Sequence, residues 1–385
     1  MNRALKFLLV FVVVVLAVFA MAGIPNYSAF KTLFSNADGM AEGSEYIEST
    51  YSLKGLTEFI GEHPEFFSVV SFNIDNPDSG IYYQADVSRT LGTLSNVFLL
   101  LEYERQVDAG LINPKKIITL KEVTRFALPE ISAGSHKEGL EKLQEIDPNE
   151  ITLDHAVGIM VEVNDLTIAD YLWFELGKDN LASLIDTLGL KHTDLPLPFS
   201  GLYISINPNL ADTSKTYSDD EVIEFATRFK NDETYNEEVK SVFEDERIGI
   251  SFIQERNALA NFPQTTPREI ANFMMTIQKN EVISEAVSKR VQEKMRWVFG
   301  GETIPLTFSD YGAIYDNRMG MLSGIDFGTS IYTGASSAQA VFFDRLPVAF
   351  WLHLSANHMQ EDYQQRLIWD PALFETTMKE ISKGE

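Results

Sequence analysis

Three small polar residues, Thr93, Ser95 and Asn96, open the stretch "GTLSNVFLLLEYERQVDAG", Gly92 to Gly110. Behind them the sequence turns apolar along one helical face. A hydroxyl on the first turn of a buried helix is a common way to present a nucleophile, provided a base lies within reach of its proton. Thr93 and Ser95 supply hydroxyls. Asn96, one helical turn after Thr93, supplies an amide, which hydrogen-bonds but takes no proton at useful pH. Shifting the register to Ser95 sets Phe98 at the same spacing, which is no base either. A literal Ser-x-x-Lys, Ser28-Ala29-Phe30-Lys31, stands just after an apolar N-terminal run. A serine–lysine pair exposed in a linker has neither a depressed lysine pKa nor an oxyanion hole, so this match reads as coincidence.

Composition bounds the remaining chemistry. The 385 residues include no cysteine, which excludes disulfides, thiol nucleophiles and cysteine-ligated metals. Histidines stand at positions 63, 136, 155, 192, 353 and 358, none at a close metal-ligand spacing. Each reads as a surface or cap residue, and neither a metal nor another cofactor is expected. Lys plus Arg number 31 against 56 Asp plus Glu, a net charge of −25. That balance repels a phosphate backbone and argues against nucleic acid as a partner. The chain has no G-x-G-x-x-G and no P-loop, so no nucleotide fold is indicated.

The N-terminus carries an address. Arg3 and Lys6 precede "FLLVFVVVVLAVFAMA", Phe7 to Ala22, which has no charge and ends on small residues. Residues 1–24 read as a signal peptide cleaved after Ala22 or as an uncleaved anchor over residues 7–24, with N-terminal membrane association. Both readings export the rest of the chain, to a periplasmic or extracellular location.

The elements that must position Thr93 follow. Residues 25–52 read as a linker. "LKGLTEFIGEH" spaces Leu53, Leu56, Phe59 and Ile60 as one helical face. "FFSVVSFNID" reads as a strand, "NPDSG" as a turn and "IYYQAD" as the returning strand. Helices follow, with Thr152 as an N-cap, Gly177 and Gly189 as stops, a capping box at Ser218 and Glu221, and Pro267 on a first turn. The acidic residues of the excursion at about 196–262 read as solvated helix faces. From Asn317 to Ala356 the sequence reads as three strands, the middle and last strongly apolar, and "LFETTMKEIS" closes with a helix. The expected class is α+β: an antiparallel sheet from N- and C-terminal strands, flanked by helices, with a central, mostly helical lobe.

This order resembles the penicillin-recognising serine hydrolases, the class A β-lactamases and related D-alanyl-D-alanine peptidases. Four places carry the resemblance, over roughly residues 60 to 365. Val107-Asp108-Ala109-Gly110 is similar to the end of the family's S-x-x-K helix, and counting back sets Thr93 at the nucleophile and Asn96 at the lysine. "IMVEVNDLTIADYLW" is similar to the S-D-N helix, with Asn164, Asp165 and Leu166 at the motif. "SGIDFGTSIYTG" is similar to the K-[TS]-G strand, with Asp326, Phe327, Gly328 and Thr329 there. Asp326 would reverse the charge that helps hold an anionic substrate carboxylate. "FPQTTPREIANFM" resembles the T-T-P helix start, and Glu255 is the acidic residue nearest to an Ω-loop acid without matching its motif.

The resemblance implies a sheet lobe over 53–92 and 300–385, a helical lobe over 93–299 and an insertion at about 196–262. The implied catalytic positions are Thr93, Asn96, Asn164 and Asp165, with Ser95, Leu166, Asp326, Phe327, Gly328 and Thr329 facing a ligand. Because three motifs are altered, the expectation is an exported pseudo-hydrolase of the cell envelope. Such a protein would bind a peptidoglycan-like or other small ligand, or an envelope protein. One alternative is an active serine or threonine hydrolase with a rearranged site, using Asp165 or a residue of the excursion as base. The other is an interaction module that uses the acidic insertion.

Overall fold

The computed structural model of the chain describes residue 37 and residues 41–129, 131–146, 151–246, 252–295, 314–320, 323–332, 335–357 and 359–383. The apolar run Phe7–Ala22 and the pair Ser28 and Lys31 lie outside the described residues. Among the described residues no helix is long and apolar enough to cross a membrane.

"FSVVSFN" carries apolar side chains on both alternating faces, so as a strand it must be covered on both sides. It forms β1, Phe67–Asn73. Val70 and Phe72 join the core of the helical lobe, whereas Phe67 and Val69 join a second core on the other face of the sheet. The chain reverses at Ile74 and Asp75, and β2 runs over Asn76–Tyr83. This corrects the expected turn at Asn76–Gly80. Asn73 Oδ1 accepts the Asp75 N–H at 2.8 Å, closing the reversal earlier, and residues 76–80 become the start of an edge strand that tolerates Pro77.

Three strands from the far end of the chain complete the sheet: β3 (Ile314–Gly320), β4 (Ser323–Tyr332) and β5 (Ala335–Phe343). All pairings are antiparallel, in the order β2-β1-β5-β4-β3. Phe67 stands opposite Phe343, so the front and rear strands meet in one sheet, as expected. Three rear strands stand as expected, but the strand region ends at Phe343 and not near Ala356. The apolar run after β5 is a helix over Val348–Ala356, with Pro347 at its N-cap. A short run apolar on every side fits a buried helix as well as a buried strand, and the proline decides its start.

A short helix, Ser44–Ile47, lies within the stretch expected as a linker. Leaving it and Leu120–Thr124 aside, the helices in chain order begin with α1 (Leu53–Glu62) and α2 (Ser95–Asp108). Next come α3 (Ala133–Ile146), α4 (Leu153–Val163), α5 (Leu166–Leu176) and α6 (Lys178–Leu188). The excursion contributes α7 (Phe199–Ser205), α8 (Asp219–Asn231), α9 (Glu233–Glu246) and α10 (Phe252–Ala258). Then follow α11 (Pro267–Gln278), α12 (Glu285–Met295), α13 (Val348–Ala356), α14 (Met359–Trp369) and α15 (Pro371–Ile381). The Thr152 cap, the stops at Gly177 and Gly189, the Ser218–Glu221 capping box and Pro267 all stand where expected.

Two polar anchors hold α2. Arg89, just before it, is 1% exposed. Its guanidinium donates to Ser68 Oγ at 2.9 Å and to the carbonyls of Pro64, Glu65 and Phe67 at 2.7–2.8 Å, tying the lead-in of α2 to β1. Farther along, the buried Glu104 pairs with Arg290 at 2.6 Å and Lys294 at 3.2 Å, both on α12. Lys294 also reaches Asp154 of α4 at 3.0 Å, which accepts the Tyr103 hydroxyl at 3.0 Å.

Candidate functional site

Gly92 takes a left-handed φ of +52° and opens a tight helical turn, Gly92–Leu94, that runs into α2. Ser95 Oγ donates back to the Gly92 carbonyl at 2.9 Å and closes the turn. Thr93 and Asn96 are both buried. Among the described residues, Thr93 Oγ1 has no hydrogen-bond partner, and neither does Asn96 Oδ1. Asn96 Nδ2 donates to Asn164 Oδ1 at 2.7 Å.

Asn164 stands at the corner between α4 and α5 with φ 58°, a left-handed conformation that asparagine tolerates. Its N–H closes α4 on the Met160 carbonyl. Asp165 is the N-cap of α5. Its Oδ1 accepts the N–H groups of Thr167 at 2.8 Å and Ile168 at 3.1 Å. Its Oδ2 lies 2.8 Å from His136 Nδ1. Helix α3 passes close above: a Cβ at Gly139 would sit 2.8 Å from Asp165 Oδ2. His136 is thus a buried partner of Asp165, which corrects its expected place as a surface or cap residue. On its other side His136 Nε2 is 3.3 Å from Thr124 Oγ1.

Sequence-predicted residues therefore divide. Asn96 and Asn164 meet, and Thr93 lies one turn before Asn96. Asp165 adjoins them in sequence, with both oxygens engaged in the cap and with His136. Leu166 begins α5 and lines a small cavity with Asp170 and Phe199. Asp326, Phe327, Gly328 and Thr329 lie on β4, where Asp326 pairs with Val341 and Asn317, and Gly328 with Gln339 and Tyr315. The backbones of β4 and of the edge strand β3 pass beside the turn Gly92–Leu94. Glu255 is buried within α10. Among the described residues no group of histidines and carboxylates gathers as a metal site.

Asp170 was not foreseen. It is 1% exposed and accepts the N–H groups of Phe199 at 2.6 Å and Ser200 at 2.8 Å. Burial pushes its carboxyl up to about 7, against the opposing pull of those amides. It joins α5 to the start of the excursion. A polar residue at an otherwise apolar helix position was the one sequence signal that could have marked it.

The model of the beta-lactamase enzyme family matches residues 54–297. A search of curated proteins finds no match. Among solved structures, a beta-lactamase from Chitinophaga pinensis is 15% identical, with a TM-score of 0.51, covering 83% of this chain and 99% of that one. A beta-lactamase from Sphaerobacter thermophilus is 14% identical, with a TM-score of 0.48, covering 77% and 89%. An acyl-enzyme complex of a PBP-A mutant with penicillin G is 14% identical, with a TM-score of 0.46, covering 77% and 88%. The likeness to the Chitinophaga protein shows a beta-lactamase-like fold, and the family match spans the helix of Thr93 and the corner of Asn164. The chain belongs to the beta-lactamase enzyme family.

Proposed function

We propose that this protein is an exported, catalytically inactive member of its family that acts by binding. The observation that carries this reading is the hydrogen bond from Asn96 to Asn164. At the position where an acyl-transfer site needs a proton acceptor one turn after its nucleophile, an amide is held by another amide. Thr93 Oγ1 is left as a neutral, buried hydroxyl. Asp165, the alternative base, has its two oxygens committed to the α5 cap and to His136. Thr93 Oγ1 and Asn96 Oδ1 have no partner among the described residues, so they are the donor and the acceptor that a ligand reaching them would meet. The ligand is a peptidoglycan-like or other small molecule, or an envelope protein. Export follows from the basic residues and uncharged run of residues 1–24.

The test is turnover. With a chromogenic cephalosporin and a D-alanyl-D-alanine peptide, the rate should equal that of buffer. Turnover that disappears in Thr93→Ala or Ser95→Ala would sink the reading. Cell fractionation tests the location: recovery of the protein in the cytosol would contradict export.

A further inference from the structure

The excursion encloses a cavity of about 350 Å³ between α7, the loop that follows it, α8 and α10. That volume lies at the lower end of the range of roughly 300–1,000 Å³ occupied by small-molecule sites. None of Thr93, Asn96, Asn164 and Asp165 lines it. The polar part of its wall is made of hydroxyls and amides, among them Ser205, Thr216, Asn257 and Asn261. Its apolar part includes Ile206, Val222 and Phe262, all buried.

The charge in this cavity is balanced. Among the described residues, Lys215 is the one ionisable cation of the wall, and no carboxylate lines it. Lys215 Nζ lies 2.6 Å from Glu221 Oε1 and 4.5 Å from the centre of the Tyr217 ring. An anionic ligand would find that charge already neutralised and would meet a protein of net charge −25. A cationic ligand would find no carboxylate on the wall. What the wall offers is side chains that both donate and accept, beside an apolar surface. Sugar hydroxyls also donate and accept, and a pyranose ring has an apolar C–H face.

We propose that this cavity binds one neutral saccharide unit, with Asn257 and Asn261 supplying the amides that read its hydroxyls. The two amides are exposed, so replacing them leaves the core untouched.

Saturation-transfer NMR on the whole protein tests this with glucose, N-acetylglucosamine, glucuronate and uridine as probes. Transfer to at least one of the two neutral sugars is expected, with glucuronate and uridine weaker. The Asn257→Leu/Asn261→Leu variant should weaken sugar binding at least tenfold at an unchanged melting temperature. Absence of transfer to both neutral sugars would overturn the proposal. So would transfer unchanged in the double variant, or uridine or glucuronate binding as well as the sugars.

Discussion

Asn96 Nδ2 lies 2.7 Å from Asn164 Oδ1, so the first turn of α2 is tied to the α4–α5 corner by an amide pair. The contact joins residues 68 apart in sequence. It should be worth about 0.5–1.5 kcal/mol net, as neutral hydrogen bonds are. A double-mutant cycle of Asn96→Ala and Asn164→Gly measures it by denaturant unfolding, glycine being chosen because it keeps the left-handed φ. A coupling energy of that size is expected. A value within error of zero would mean that the pair does not hold the two elements together.

Arg89 should be among the residues whose loss harms stability most. Its removal strands the Phe67 carbonyl and the Ser68 hydroxyl in a buried site, frees the part-buried carbonyls of Pro64 and Glu65, and weakens the surroundings of Asp344, 3.8 Å away. Arg89→Ala should cost about 3–5 kcal/mol, the range for breaking a buried charged cluster. Arg89→Lys should not restore it, because an ammonium cannot fill the planar fork. Melting temperatures of the two variants check this, and full rescue by lysine would contradict it.

Asp170 gives the stability a pH dependence of unusual sign. Burial raises its folded pKa to about 7, whereas an aspartate in the unfolded chain titrates near 4. Between those values the folded state holds the extra proton. Stability therefore falls as pH rises from about 4 to about 7, by about 4 kcal/mol at most, and this contribution levels off above that window. Asp170→Asn should be less stable at pH 5 but flatter between pH 5 and 8. Parallel pH dependences in the two proteins would refute the assignment.

His136 and Asp165 should act as a unit in holding α3 over α5. The pair is buried and 2.8 Å apart, so His136→Ala leaves a carboxylate oxygen without its imidazole. A loss of about 1–3 kcal/mol is expected. Amide exchange of α3 should quicken more than that of α2, because α2 keeps its ties to β1 and α12. Uniform quickening across both helices would argue against a local role.

The parts legible in the sequence were those written in local periodicity and caps. The alternation of β1, the face of α1, the Thr152 and Ser218 caps and the stops at Gly177 and Gly189 depend on neighbours a few residues away. The helix behind Thr93 is legible too, because its apolar face repeats within a few residues. What escaped depends on distant partners. Nothing near His136 announces Asp165, and nothing near Asp170 announces the amides of Phe199 and Ser200. The α13 segment failed for another reason: a run apolar on all sides has no period to read. The expected turn at Asn76–Gly80 failed because one side-chain oxygen, that of Asn73, outweighed a stretch rich in turn formers.

The most direct test of the central claim is the intact mass of the protein after long incubation with benzylpenicillin. If no proton acceptor stands beside Thr93, as proposed, the mass should stay that of the unmodified chain at every time point. A stoichiometric adduct that vanishes in Thr93→Ala or Ser95→Ala would show that the site still acylates, and would contradict the account.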